Sequence, residues 1–174
     1  MTKTDATTTT QVPLDMLFAD LDNEFASTRR LLERFPDEHA DWRPHERSKT
    51  LAALAAHIAN LPGLGQRVAE TPEFDFAATP FVPPTARTRA ELLALFDERA
   101  AGARKAIADL DAQAMSERWR LRAGDQVFAN ERRGVVLRSL LISHTAHHRG
   151  QLTVYYRILG VPVPGLYGPS ADEQ

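Results

Sequence analysis

The sequence predicts an all-α protein, a four-helix bundle, and two observations lead to this prediction. In four separate segments, apolar residues recur at alternating steps of three and four, the spacing that aligns side chains along one face of an α-helix. No segment is interpreted as a convincing β-strand. The chain has 174 residues, of which 43% are hydrophobic, and this is enough for one compact domain with its own core.

The first helix follows a polar N-terminal segment. Residues 1–11 are rich in threonine, so we expect a disordered tail, followed by a single domain over residues 12–174. The helix is predicted from Pro13 to Phe35, because proline is tolerated in the first turn of a helix. Pro36 ends it, since proline cannot continue the helical hydrogen bonding.

The second helix is predicted to begin near Ser48, a suitable N-cap. Pro62 is expected to kink or end it, although residues 64–70 can continue the helix. The next segment, Thr71 to Arg87, holds four prolines and three phenylalanines and has no regular period. We interpret it as a long crossover, so helices two and three need not be antiparallel neighbours.

The third helix is predicted to begin at Thr88, because Glu91, three residues later, completes a capping box. Between Ser116 and Arg133 the pattern changes. It fits either a short hairpin or an irregular excursion, and we favour the excursion. The fourth helix follows and ends near Gly160, a suitable C′ residue.

The fourth helix carries the candidate site. Its apolar ladder is Leu137, Leu141, His144, His148, Gln151, Tyr155 and Ile158. The i, i+4 spacing of His144 and His148 stacks two imidazoles on successive turns, so that their nitrogens can converge on one ion. Because buried imidazoles need hydrogen-bond partners or a metal, we predict that both are metal ligands.

A third ligand is predicted on helix two, where His57 lies on the inward face. Alone, His57 would more often be a core histidine with satisfied hydrogen bonds. Three inward-pointing histidines on two helices of one bundle instead indicate a metal held in the bundle core. His147 is the alternative to His148 as a ligand, but it does not lie on the ladder.

Three neighbours of these histidines also receive predictions. Gln151 lies on the ladder and is a candidate to orient a ligand or a bound water. Arg149 is expected to face outward, toward a partner subunit or an acidic side chain, and with Gln151 it is a candidate to support the metal ligands. Gly150 costs about 1 kcal/mol against alanine inside a helix, so we expect a second helix or a substrate to approach closely there.

Composition excludes several classes of function. The formal net charge of -2 shows no basic excess, so nucleic acid is not an expected partner. The chain has no cysteine, so thiol chemistry would need a thiol from a substrate. The N-terminal MTKTDATTTT lacks the apolar core of a signal peptide, and the longest uncharged run is too broken to span a membrane. We expect a soluble cytoplasmic protein.

Two stretches of the chain resemble a known family. HTAHHRGQLTVYYRILGVPVPGLYGP, which begins at His144, resembles the signature of the DinB/YfiT-like family, and DWRPHERSKTLAALAAHIANL matches the same family upstream. The resemblance implies a four-helix bundle with an up-down-down-up course, often a homodimer. It also implies a divalent metal held by one histidine of helix two and two of helix four. Matched by position, these are His57, His144 and His148.

The resemblance extends to function, because some relatives are S-transferases that use thiols such as bacillithiol or mycothiol. We expect a metal-dependent enzyme, since three protein ligands with an open position are typical of catalytic sites. Zinc is the first expectation for the ion, with nickel and iron as alternatives. We favour a reaction that transfers the thiol of a cosubstrate to a small molecule over hydrolysis. The rival hypothesis is a non-catalytic bundle that a metal stabilises, with a role in stress or sensing. Arg149, the crossover around Phe81 and the alanine-rich helix surfaces suggest a two-fold dimer, since such dimers are the commonest oligomers.

Overall fold

The computed structural model describes residues 14–173, so the predicted tail over residues 1–11 lies outside the described residues. The helices are α1 (Leu14–Leu17), α2 (Leu21–Leu32), α3 (Leu51–Glu70), α4 (Arg89–Ala108), α5 (Ala112–Ser116), α6 (Arg133–Arg138) and α7 (Thr145–Ile158). The strands are β1 (Glu73–Asp75), β2 (Arg118–Ala123) and β3 (Gln126–Arg132). A π-helical segment, Ser139–His144, joins α6 to α7 without a break in the backbone.

The prediction of an all-α four-helix bundle is wrong, because the chain also forms a three-stranded mixed sheet. β2 and β3 form an antiparallel hairpin where we favoured an irregular excursion. β1 lies inside the predicted crossover and pairs in parallel with β2. A strand of three residues is too short to show a period of two. Its partner also lies far along the chain, since Glu73 stands opposite Arg120.

Ion pairs join β1 to the hairpin. Arg122 donates to the Glu73 carboxylate at 2.7 Å, and Arg120 lies 2.9 Å from the same group. The Asp75 carboxylate accepts from the backbone N–H of Gly124 at 3.0 Å. The Arg122 hydrogen bond lowers the pKa of Glu73, and the Gly124 backbone N–H lowers the pKa of Asp75. These contacts hold the short β1 against β2.

The ends of the helices follow most of the sequence signals. The capping box of Thr88 and Glu91 is present at the start of α4. The N-cap of α3 is Thr50, two residues after the predicted Ser48, and its side chain accepts from the third helical N–H. Pro62 does not end α3, which continues to Glu70 as the alternative allowed. Helix one is interrupted between α1 and α2.

The buried ladder of the last helical rod differs from the predicted one. From Leu137 onward, its buried residues are Leu137, Leu141, Thr145, Arg149, Leu152 and Tyr156. After Leu141 each buried position therefore lies one residue later than predicted, and Ile158 is 59% exposed. The cause is the π-helical segment, whose wider turn accommodates one extra residue.

The core lies between α2, α3, α4 and the rod formed by residues 133–158. Phe25 of α2 meets Phe96 of α4 edge to face, with ring centroids 5.8 Å apart. Gly65 of α3 lies against Leu141, because a Cβ built on Gly65 would stand 2.5 Å from a Leu141 methyl carbon. Gly65 thus allows α3 to approach the π-helical segment closely.

The second helix predicted to approach Gly150 is absent from residues 14–173, and the approach of a substrate stays a prediction. Within residues 14–173, apart from its own helix backbone, no heavy atom lies within 4 Å of a Cβ built there. We expect Gly150→Ala to raise the free energy of unfolding by up to about 1 kcal/mol, because alanine is the better helix former. Urea denaturation measures this change.

Gly65→Ala is the matched control for that substitution. It should lower the free energy of unfolding by about 1–3 kcal/mol, because the added methyl group overlaps the buried Leu141 side chain. Equal effects of the two substitutions would contradict the packing described for α3 and the rod.

Candidate functional site

Three histidines from two helices meet at one point. His57 comes from α3, His144 ends the π-helical segment, and His148 lies one turn further in α7. The Nε2 atom of His144 is 3.2 Å from that of His57 and 2.9 Å from that of His148. One ring nitrogen from each residue lies within 4.8 Å of the other two, and such a cluster could bind a metal ion.

These distances fit ligands of a single ion better than a set of hydrogen bonds. The Nε2 atom of an imidazole carries either one hydrogen or one lone pair. His144 Nε2 therefore cannot act as a donor toward one neighbour and an acceptor toward the other. Nitrogens bound at about 2.0–2.1 Å to one tetrahedral ion lie roughly 3.3–3.4 Å apart. A cation would satisfy all three lone pairs, so the donor set fits a divalent metal.

Gln151 fixes the tautomer of His148. The side-chain oxygen of Gln151 lies 2.7 Å from His148 Nδ1. Because an amide oxygen only accepts, Nδ1 carries the hydrogen and Nε2 presents its lone pair to the cluster. Metal-binding histidines commonly have such a partner on the second nitrogen. Gln151 is exposed rather than buried, but it contacts the residue it was predicted to orient.

The protein environment keeps the cluster uncharged. Burial, followed by the charges of His148, His144 and Lys49, lowers the pKa of His57 to about 4. Burial also lowers the pKa of His144 and of His148. Neutral imidazoles are the form that binds metals, so the three ligand nitrogens are available at neutral pH.

His147 remains outside the cluster. It is exposed, and its ring centroid lies 4.9 Å from that of His148. The structure therefore brings together the three histidines selected from the sequence and leaves their rival at the edge.

The prediction that Arg149 faces outward is wrong, although its predicted acidic partner exists. Arg149 is 1% exposed and forms an ion pair with Glu24 of α2. It also donates to Thr28 Oγ1 at 3.2 Å and to the Tyr167 hydroxyl. The shifted ladder explains the error, because Arg149 occupies a core position after the π-helical segment.

A cavity of about 500 Å³ adjoins the cluster, with His57 and His144 in its wall. Its other wall residues are mainly apolar. The sheet and the following loop contribute Phe74, Phe76, Phe81, Trp119, Leu121 and Ala129. Sequence reasoning missed these residues together with the sheet. The one local signal was the alternation of arginines with Trp119 and Leu121 in β2.

Among residues 14–173, no helix combines the length and the apolar character that a membrane crossing requires.

Comparisons with known proteins agree with the resemblance found in the sequence. The model of the DinB family matches residues 7–174. "Uncharacterized protein YrdA" of Bacillus subtilis (strain 168) is 28% identical over 163 residues, which cover 92% of this chain and 91% of that protein.

Two solved structures share the fold. A DinB-like protein from Bacillus cereus ATCC 10987 has a TM-score of 0.64 at 22% identity, over 87% of this chain and 95% of that one. The DinB-like protein YjoA from Bacillus subtilis has a TM-score of 0.65 at 18% identity, over 91% of this chain and 99% of that one. The resemblance to the DinB family is thus confirmed. The two solved structures show only that the fold is shared.

The geometry predicts one divalent ion per chain. In isothermal titration calorimetry with zinc or nickel, we expect one site in the native protein and loss of that site in His148→Ala. His147→Ala should keep the site, because His147 lies outside the cluster. Gln151→Ala should weaken binding by about 10- to 100-fold, as loss of a partner on the second nitrogen typically does. Retention of the site in His148→Ala would contradict this assignment.

The metal-free protein should lose stability as the pH falls from 6.5 toward 4. The pKa of His57 is about 4 in the folded chain and near 6.5 in the unfolded chain. Between these values the unfolded chain binds a proton that the folded chain does not, so stability rises with pH. Urea denaturation at several pH values measures the slope.

His57→Gln is the control for this pH dependence. Carboxylates also contribute to the loss at low pH, and they are unchanged in the variant. The slope between pH 6.5 and 4 should therefore be smaller in His57→Gln than in the native chain. Identical slopes would show that His57 titrates normally in the folded protein.

Proposed function

We propose that this chain, which belongs to the DinB family, is a metal-dependent enzyme whose three histidines hold a divalent ion beside the cavity. One observation carries the proposal: His57 and His144 belong both to the histidine cluster and to the cavity wall. A small molecule in the cavity would therefore lie next to the ion. Structural zinc sites, by contrast, are closed by four protein ligands.

A divalent ion with an open position supplies a Lewis acid that lowers the pKa of a thiol or water bound to it. Zinc is our first choice for the ion, with nickel and iron as alternatives, because imidazole suits all three. The protein's own contribution is to keep three imidazoles neutral and in place. Burial keeps the pKa of His57 low, and Gln151 orients His148.

We favour thiol transfer as the reaction. In this reaction the thiol loses its proton to solvent, and its sulfur forms a bond to an electrophilic carbon of the second substrate. The bond from that carbon to the leaving group breaks, and the leaving group departs with the electron pair. The chain has no cysteine, so the thiol must be a cosubstrate. Hydrolysis would use water in the same position.

The core argues against the rival role of a bundle that depends on its metal for folding. The buried ladder of the rod excludes all three histidines, and His144 and His148 lie on its flank. The apolar core among α2, α3, α4 and the rod contains none of the three histidines. Chains of this size form a core without a metal staple.

A homodimer remains part of the proposal, on the prior that two-fold dimers are common. Arg149 no longer supports it, because this side chain is buried against Glu24.

The decisive experiment combines folding, metal content and turnover in two variants. His148→Ala should retain the native circular dichroism spectrum while it loses the ion and all turnover, because the core does not include His148. His147→Ala should keep all three properties. Turnover is measured on zinc-loaded protein, with bacillithiol or mycothiol and 1-chloro-2,4-dinitrobenzene, and with p-nitrophenyl acetate for hydrolysis.

The outcomes separate the candidate functions. Loss of the helical signal in His148→Ala, or on chelation of the native protein, would favour the structural role. Ester hydrolysis without thiol transfer would replace the transferase with a hydrolase. Equal activity in native protein and in folded His148→Ala would refute the metal-dependent enzyme.

A further inference from the structure

The cavity beside the histidines has two unlike sides. The sheet and the adjacent crossover contribute aromatic and aliphatic side chains, among them Phe76, Phe81 and Trp119. The helices contribute His57, His144 and Ser139 as well as aliphatic residues. We propose that the sheet side binds the apolar body, alkyl or aromatic, of an uncharged small substrate, whose reacting atom then faces the histidines. This proposal rests on the proposed function and specifies its substrate class.

The size of the cavity suits such a ligand. Its volume is about 500 Å³, and pockets for small molecules commonly measure about 300–1,000 Å³ with mostly apolar walls. Phe76 and Phe81 are each 39% exposed although they are large and apolar. A ligand in the cavity would remove part of this apolar surface from water, which favours binding.

Two aromatic side chains of the wall contact each other. The rings of Phe74 and Phe76 meet edge to face with centroids 4.9 Å apart. Phe128 of β3 approaches Phe76 from outside the cavity wall, at 6.3 Å between centroids. Aromatic faces and edges of this kind contact both alkyl chains and other rings favourably.

Charge on the wall points to an uncharged ligand body. Besides histidines, the charged wall residues are Arg67 and Glu131, so their formal charges sum to +1 − 1 = 0. The Arg67 guanidinium stacks over the Phe74 ring at 4.8 Å. The Arg67 side chain therefore interacts with another residue of the wall. A wall without net charge attracts neither an anionic nor a cationic body. Burial of a charged body against the mainly apolar side chains would also cost hydration free energy, so an uncharged body is favoured.

The experiment measures binding directly and does not depend on turnover. The probes are n-alkanehydroxamates with chains of two, four, six and eight carbons, which combine an alkyl body with a metal-binding head. They are titrated into metal-free and zinc-loaded full-length protein. The readout is the indole N–H resonance of Trp119 in proton–nitrogen NMR spectra, which also detects weak binding.

The Trp42→Phe background leaves Trp119 as the remaining tryptophan, since the chain has two. Trp42 packs against Tyr155, with ring centroids 5.6 Å apart, and does not line the cavity. In this background we expect affinity to rise by about two- to fourfold per added methylene in both forms of the protein, because each buried methylene adds apolar burial.

Two substitutions on neighbouring residues of β3 test the location. Ala129→Phe should reduce the dependence on chain length, because its ring occupies part of the cavity on the sheet side. Asn130→Phe is the matched control and should preserve the dependence, because successive side chains of a strand point to opposite faces. Phe81→Ser, in the loop after β1, provides a second test should Ala129→Phe fail to fold, and it should reduce the dependence.

The results distinguish this proposal from the proposed function. Suppose that affinity rises with chain length equally in both forms, and that zinc does not increase the affinity for any hydroxamate. This result would refute the metal-dependent enzyme and support the apolar pocket. Zinc-enhanced binding without chain-length dependence would overturn the pocket and leave the metal site intact. The pocket would be overturned if folded Ala129→Phe and Phe81→Ser both kept the full dependence on chain length. It would also be overturned if Asn130→Phe reduced the dependence as much as Ala129→Phe. A second copy of the chain that covers the cavity and prevents binding would overturn it as well.

Discussion

The wide turn between Ser139 and His144 determines how the rest of the last helix is used. Beyond Leu141 the buried ladder advances in steps of four to Thr145 and again to Arg149. With 3.6 residues per turn, repeated steps of four would rotate steadily away from the core. One π-helical turn absorbs this rotation, because its hydrogen bonds enclose an additional residue. The core stripe therefore continues straight along the rod.

This turn separates the histidines from the core. His144 and His148 lie one position before the buried residues, on the flank of the rod that meets His57. Had the helix been regular, the predicted ladder would have placed both imidazoles in the core, where each would displace apolar packing. Because they lie on the flank, both reach a third imidazole, and His144 also lines the cavity. π-helical turns occur frequently at functional sites, and this geometry supplies a physical reason.

Arg149 stabilises the same arrangement from the opposite side. Its guanidinium is buried, donates to the Glu24 backbone oxygen at 2.8 Å and contacts Tyr167 of the C-terminal segment. An unpaired buried charge costs about 3–5 kcal/mol, so α7 is held against α2 at this one position. Since His148 precedes Arg149 directly, the ion pair also fixes the position of the flank that carries His144 and His148 relative to the core.

How much the sequence predicts depends on the range of the interactions involved. The capping box at Thr88 and the i, i+4 pair of His144 and His148 depend on contacts within one or two turns, and the structure contains both. The prediction that Arg149 faces outward assumes a regular helix. It is wrong, because one π-helical turn rotates every later residue relative to the core. The sheet was missed for a related reason: β1 exists only through its pairing with β2, which no local pattern encodes.

The missed sheet matters for function because it divides the site into two structural parts. The imidazoles come from α3 and the rod, whose relative position is set by the buried core. The apolar wall comes from short strands held by contacts such as that of Arg122 with Glu73. Ala129 and Leu121 belong to the sheet side of the cavity wall, whereas the three imidazoles belong to the helices. Under the proposed function, metal binding would therefore depend on helix packing and substrate selection on the sheet, so that the two could change separately.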